Sequence, residues 1–506
     1  MAECVWIGTR GEGMMMASAD GIGKGAFRTV AVAAGPTLGA VLWFMFHPQH
    51  GGWGSFTAPA AGTIGLLGWM ALWWASQCVD LAVTSLLPVV VLPMIGAGKG
   101  SAVLAPYANE LIFLFAGGCV LSLALERHGI AARLLRSVIA IVGSSPQGLT
   151  LGFLVVSALV SAVVSNTATV AMLLPMVLAT IHAVERGNSS MPTTAPPLRN
   201  FRSAVMLSIA YGASIGGVMT VLGSPPNPIA AEWINRYSQE HPGTKGMDFV
   251  RWLTFGVPVA LVTLFAAFLV LRANLPLREL APAALDEPSA RRGSISRGGW
   301  ATLAVFVIAL VGWIGVPLAR SAGVPMPPLT DGSVAVLAAI LLLALPEPGA
   351  GGVRIVPIQM LGQLPWGVFI LFGGGLCLAD AMDRTGVSQS IAQSASSLGA
   401  LPPWAILFLL VATLLIASEV ASNTALTATA VPIVGPLAVG LGMPADQMVV
   451  AAALAASLAF ALPVGTAPNA MVFSTGKLPA EHMMRVGLQL NACAMIIITL
   501  ACLLLF

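Results

Sequence analysis

Charge is what this sequence has least of: 23 Lys and Arg and 20 Asp and Glu in 506 residues, 8% in all, where soluble domains carry roughly a quarter. So little charge excludes an ordinary water-soluble domain. A net charge of only +3, spread over loops, gives nucleic acid no face to bind. Cysteine is scarce as well. Cys4, Cys78, Cys119, Cys377, Cys493 and Cys502 are scattered, mostly in apolar runs, with no C-x-x-C pair and no histidine at ligand spacing, which argues against disulfides and metal centres. A Walker-type loop is missing, which disfavours ATP-driven pumping. So is any nucleophile with a base, as a membrane enzyme would need. What remains is 57% apolar residues with 54 Gly and 35 Pro. That is enough for up to about 14 helical crossings of ~20 residues, many of them broken or closely packed. The fold class expected is an all-α polytopic membrane protein.

Apolar runs fall near 27–46, 61–79, 81–95, 109–126, 148–183, 201–238, 250–271, 299–319, 331–346, 365–382, 402–440, 446–476 and 486–506. The first ends in His47-Pro-Gln-His50 and reads as a span, not a removed signal peptide. Four runs, 148–183, 201–238, 402–440 and 446–476, are too long for one straight helix across ~30 Å and carry Ser, Asn, Thr, Gly or Pro at their middles. If 148–183 and 402–440 are re-entrant hairpins and the other two cross with a break, the chain makes about eleven crossings. With the N-terminus cytoplasmic and the C-terminus outside, seventeen basic residues lie inside. Outside are six: Lys99, Arg236, Lys245, Arg251, Arg320 and Arg384. That is the asymmetry expected across a cell's inner membrane.

Internal similarity is the strongest organising signal. Glu110-Leu-Ile-Phe-Leu-Phe-Ala-Gly-Gly118 parallels Trp366-Gly-Val-Phe-Ile-Leu-Phe-Gly-Gly-Gly375, and Leu125-Glu-Arg-His-Gly129 parallels Met382-Asp-Arg-Thr-Gly386. Ser165-Asn-Thr-Ala168 recurs as Ser422-Asn-Thr-Ala425, all at an offset of 257 residues. Gly223-Ser-Pro-Pro-Asn227 returns as Gly465-Thr-Ala-Pro-Asn469 at an offset of 242, the difference falling at the polar insert 187–200 of the first half. Five crossings between the copies give them opposite topology. That is the inverted repeat in which secondary transporters place their sites at the midplane.

Each Ser-Asn-Thr triplet consists of helix-capping residues before an apolar helical stretch. A helix starting mid-membrane aims free N–H groups and roughly half a positive charge at an anion. The helix arriving at the tip ends in free carbonyls suited to a small cation. Gly223-Ser224 and Gly465-Thr466 face the tips; glycine admits close backbone approach, the hydroxyl donates to a carboxylate, and Pro225, Pro226 and Pro468 leave carbonyls unpartnered. No Lys or Arg falls in the centre of these four stretches. An anion held there needs a co-bound cation, because a bare dianion in a low-dielectric site is too costly.

At these residues, from about residue 61 to the C-terminus, the sequence resembles the divalent-anion:sodium symporter family, carriers of di- and tricarboxylates or sulfate. The resemblance implies Na⁺ as coupling ion, no organic cofactor, a small dicarboxylate substrate and a homodimer in the lipid bilayer. It implies substrate contacts at Asn166, Thr167, Ser224, Ser422, Asn423, Thr424 and Thr466. A first Na⁺ site falls at Ser161, Ser165, Asn166 and Gly223, and a second at Ser418, Ala421, Asn423 and Gly465. It also implies an elevator mechanism. Beyond an N-terminal segment (1–26), scaffold spans fill 27–147 and 239–401, transport elements fill 148–238 and 402–476, and a last span follows (477–506). Ala467 stands where the family commonly has a second proline and Ser418 where it often has Thr, departures that bear on the second cation site and on selectivity. An exchanger, or a sulfate or citrate carrier, stays open within the same fold. An ion channel fits less well, for want of a charged ring or carbonyl filter.

Glu419, three residues before the second tip, is either a coupling carboxylate or one that hydrogen-bonds the hairpin backbone; Ala162 at the matching place in the first copy favours the second. Glu110 and Asp383 read as interfacial, and Arg133 and Arg136 as part of a surface helix supporting the hairpin. Trp69, Trp73 and Trp74 fit either a scaffold surface or membrane-interface anchors.

Overall fold

The computed structural model describes residues 17–50, 56–277, 280–281, 295–349, 351–395 and 401–506. Most of the expected N-terminal segment and most of the basic loop near 278–294 lie outside them. Among the described residues all regular structure is helical, apart from one isolated bridge between Pro346 and Arg354.

Glycine sets how the first helices meet. α1 (Ala17–Phe46), which begins ten residues earlier than the apolar run, lies along α2 (Ala58–Ser76). A Cβ on Gly65 would sit 2.5 Å from the Gly39 carbonyl oxygen, so only glycine permits this approach. The tryptophans belong to this packing: Trp73 donates to the Val32 carbonyl at 3.2 Å, and fully buried Trp74 reaches Ser85 Oγ at 3.2 Å. The expected span 81–95 is split into α3 (Leu81–Thr84) and α4 (Leu87–Met94), and α5 (Gly100–Leu104) leads to α6 (Glu110–Arg127). Amphipathic α7 (Ile130–Val142) carries Arg133 and Arg136, as anticipated.

Each of the four long stretches is broken where its polar residues predict. α8 (Pro146–Ser161) and α9 (Asn166–Gly187) form one helical hairpin. Further along the chain, α10 (Pro196–Gly217) and α11 (Pro226–Glu240) form a broken helix, followed by α12 (Phe249–Asn274). α13 (Arg297–Leu310) runs through a π turn into α14 (Val316–Ser321), and α15 (Asp331–Ala344) packs on α6, where Gly117 abuts the Ala335 backbone. α16 (Trp366–Thr385) is followed by α17 (Val387–Ala395), a short helix that no apolar run announces. α18 (Pro403–Ser418) and α19 (Asn423–Gly440) form the second hairpin, and α20 (Ala445–Ser457) and α21 (Ala467–Ser474) the second broken helix, before α22 (Ala480–Leu505). By length and composition, eight described helices can cross a bilayer.

The two breaks are built alike. Buried Asn227 donates from Nδ2 to the Gly217 and Thr220 carbonyls at 2.8 and 2.7 Å, and buried Asn469 to those of Ala459 and Leu462 at 3.3 and 3.1 Å. All three pairs of positions are 242 residues apart, the offset of the Gly-Ser/Thr motifs. In each copy one amide thus satisfies carbonyls that a broken helix leaves free.

Candidate functional site

Both tips and both breaks meet at one cavity of about 930 Å³, at the upper end of small-molecule sites. Its floor is formed by Ser165, Asn166 and Thr167 of the first tip, Ala421, Ser422, Asn423 and Thr424 of the second, and Ser224, Gly465 and Thr466 of the breaks. All seven expected substrate contacts therefore line a single space. Its walls come from Ser76 and Gln77 at the end of α2, from Ser122 and Glu126 on α6, and from Gln363 to Pro365 before α16. Glu126 is the only charged side chain among the described lining residues, and no Lys or Arg is present. Sequence reasoning did not reach these walls. The one available signal was Glu126 itself, which recurs as Asp383 in the repeated segment.

Anion affinity must then come from the backbone. Ser165 caps α9 by accepting from Ala168 N at 3.3 Å, and Thr466 caps α21 by accepting from Asn469 N at 3.2 Å. The hydroxyl of Ser422, at the matching cap of α19, makes no such bond and is free to face a ligand. Two helices of eighteen residues or more, α9 and α19, begin at the cavity and aim their N-terminal dipoles into it.

The expected cation positions lie behind the tips. The Asn166 amide group lies 2.7 Å from Ser161 Oγ, 3.1 Å from the Ala213 carbonyl oxygen and 3.3 Å from that of Gly223. With its nitrogen inward the amide donates to these oxygens. With its oxygen inward, four oxygens face one another, an arrangement that a Na⁺ ion relieves. In the second tip Asn423 Oδ1 is buried without a hydrogen-bond partner, close in sequence to fully buried Ser418. The oxygens around Asn166 therefore fit a small oxygen-seeking cation at the first tip, and the unpartnered Asn423 Oδ1 offers one ligand for such a cation at the second. Ala213 is a neighbour of Asn166 that the motifs did not indicate, since a helix carbonyl carries no side-chain signature.

Close approach at the first position depends on glycine. A Cβ on Gly223 would lie 2.6 Å from the Gly217 oxygen and 2.8 Å from that of Ser161, and one on Gly217 would lie 2.4 Å from Asn166 Oδ1. Both are backbone or hydrogen-bonded neighbours with little room to give. Gly223→Ala is expected to raise the Na⁺ concentration needed for half-maximal uptake by tenfold or more, or to abolish uptake, with normal membrane insertion; a wild-type Na⁺ dependence would remove Gly223 from the site.

Glu419 is second-tip chemistry of another kind. The residue is 7% exposed. Oε1 accepts from Phe460 N and Ala461 N at 2.9 Å and from Asn491 Nδ2 at 2.6 Å, and Oε2 from Leu462 N at 2.7 Å. It is a hydrogen-bonded structural carboxylate, as expected, yet its partners lie in the facing break and on α22, not in its own hairpin. The matching link in the first copy runs from Thr220 Oγ1 to the Ala162 carbonyl. Positions 162 and 419 are 257 residues apart and positions 220 and 462 are 242 apart, so each hairpin is tied to its break at the same place by different chemistry.

Dipole-lined tips, oxygens gathered behind them and a cavity with no Lys or Arg among its described lining residues define a secondary carrier of small anions. Comparison with known proteins gives the same class. A family model described as "Citrate transporter" matches residues 71–455. The sodium-dependent dicarboxylate transporter SdcS of Staphylococcus aureus strain COL is 30% identical over 485 residues, covering 94% of this chain and 90% of its own. The chain belongs to this family, the divalent-anion:sodium symporters anticipated from the motifs. Among solved structures, the YdaH transporter of Alcanivorax borkumensis has TM-score 0.54 at 13% identity, covering 88% of this chain and 98% of that one. MtrF of Neisseria gonorrhoeae, from a class of antimetabolite efflux pumps, has TM-score 0.55 at 14% identity, with 85% and 96% covered. These two share the fold.

Proposed function

We propose that the protein imports small dicarboxylates of the succinate, fumarate and malate type across the inner membrane, coupled to Na⁺ and without an organic cofactor. One observation carries this reading: two similar tips and two similar breaks converge on one cavity that offers helix dipoles and hydroxyls to an anion and oxygen cages to a cation. The relatives' names agree with it. Substrate carboxylates rest on the donors of Asn166, Thr167, Ser224, Ser422, Asn423, Thr424 and Thr466. Na⁺ occupies one position at Ser161, Ser165, Asn166 and Gly223 and another at Ser418, Ala421, Asn423 and Gly465, neutralising the dianion.

The same reading holds the two hairpins to be re-entrant, the chain to make eleven crossings in an inverted repeat, and a homodimer to frame an elevator-like unit. Packing supports adding α12 and α22 to that unit, because they lie against each other and against α8, α10, α18 and α20. The positive-inside asymmetry makes the open end, marked by Gln77, Glu126 and Gln363, the cytoplasmic one.

Uptake of labelled succinate into proteoliposomes, with an inward gradient of Na⁺ and then of K⁺, tests the proposal. Uptake with Na⁺ alone is expected. Uptake that ignores Na⁺ but requires internal dicarboxylate would make the protein an exchanger, and none in either condition would end the dicarboxylate reading. The family model's name makes citrate the second candidate, which competition against succinate uptake decides.

A further inference from the structure

Glu126 stands in the last turn of α6, where the helix dipole presents its negative end and a carboxylate is unfavourable. It is exposed, it lines the cavity, and it is the only charged side chain among the described lining residues. Its neighbours leave it uncompensated. Arg127 is turned to Glu347 at 3.1 Å, and His128 lies 4.0 Å from the same carboxylate. Among the described residues Glu126 has no ion-pair partner. Its counterpart in the repeat is placed differently. Asp383, at the 257 offset, pairs with Arg236 of α11 at 2.9 Å, whereas Arg236 falls at the 242 offset on buried Leu478. The first copy thus keeps the carboxylate without a matching cation, and keeps it in the wall of a cavity whose floor offers donors to an anion.

We infer that Glu126 is a charge filter: its carboxylate makes the cavity select by the charge of the anion, favouring dicarboxylates over tricarboxylates and easing release of the dianion at the open end. The inference rests on the proposed transport of dicarboxylates and deepens it by naming what disfavours the more highly charged ligand. Coulomb repulsion acts without contact. A round cavity of about 930 Å³ is roughly 12 Å across. Over that distance through water, one negative charge weakens binding about 1.8-fold for each negative charge on the ligand. Salt lowers this figure and the low-dielectric walls raise it. A dianion then loses about threefold and a trianion about sixfold, and no Lys or Arg in the described wall offsets the difference.

The test measures binding to full-length protein in lipid nanodiscs, where both faces are reachable. Labelled succinate is bound at saturating Na⁺ and about pH 8, where carboxyl groups are ionised. It is displaced by monomethyl succinate, succinate and tricarballylate, which carry one, two and three charges. Glu126→Gln is expected to tighten their binding about two-, three- and sixfold, Glu126→Lys about three-, ten- and thirtyfold, and Glu126→Asp to match wild type. Added choline chloride should shrink these gains. A substitution that merely disturbed the fold would shift all three ligands alike. Equal shifts for the three, wild-type affinities in Glu126→Lys, or gains untouched by choline chloride would each overturn the filter while leaving the transport function standing. Absence of Na⁺-dependent succinate binding by the wild type would instead strike the dicarboxylate reading, and the filter with it.

Discussion

Asn166→Ala and Asn423→Ala are each expected to abolish Na⁺-driven uptake while leaving insertion and folding intact. Each asparagine begins a helix at the cavity floor, so in the proposed site its backbone N–H would serve the anion and its amide oxygen the cation behind the tip. Alanine keeps the helix and its dipole but removes that oxygen. At the first tip this leaves Ser161 Oγ and the Ala213 and Gly223 carbonyls as an incomplete cage; at the second it deletes an oxygen that has no other partner. Without a cation, the dianion meets a low-dielectric site with only partial dipole charges to offset its desolvation. Uptake and thermal stabilisation by Na⁺ should therefore vanish together. Either variant transporting like wild type would overturn the assignment of its tip.

Glu419 gives the second large effect, of a different character. Glu419→Ala strands the Ala461 and Leu462 N–H groups and the Asn491 Nδ2 donor, leaving Phe460 N only its bond to Asn491 Oδ1; each unsatisfied buried donor costs about 1–3 kcal/mol, and the variant should yield little folded protein. Glu419→Gln keeps the shape but turns an NH₂ group towards donors, so its thermal midpoint should fall by several degrees and its transport should slow. Its Na⁺ dependence should survive, because the carboxylate is already engaged by four donors of the break and α22. If Glu419→Gln kept full stability and lost only cation coupling, the carboxylate would belong to the ion path instead.

The tips and breaks were legible in the sequence because each needs residue types that an apolar span otherwise avoids: Ser-Asn-Thr at helix starts, Gly-Ser and Gly-Thr before Pro at interruptions. Their repetition at constant offsets tied them together. What was not legible came from distance along the chain. Nothing local to Glu419 points to Phe460 or Asn491, and nothing local to Asn166 points to the Ala213 carbonyl. The short helix α17 escaped because its polar residues do not form an apolar run. The split of 81–95 escaped because Ser85-Leu86, with a proline following, resembles any other kink inside a hydrophobic segment.

Buried Tyr211 on α10 sends its hydroxyl to the Phe460 and Met483 carbonyls at 3.0 and 3.3 Å. It is synthesised some 250 residues before either acceptor exists. A nascent chain stopped after α19 therefore leaves that hydroxyl unanswered; the 460 segment supplies its first acceptor, and α22 adds the second together with Asn491, which holds Glu419 and the Phe460 N–H. The two halves are thus stitched by contacts that join only after the 460 segment and α22 are both made, so the second break sets the order in which the site can be finished.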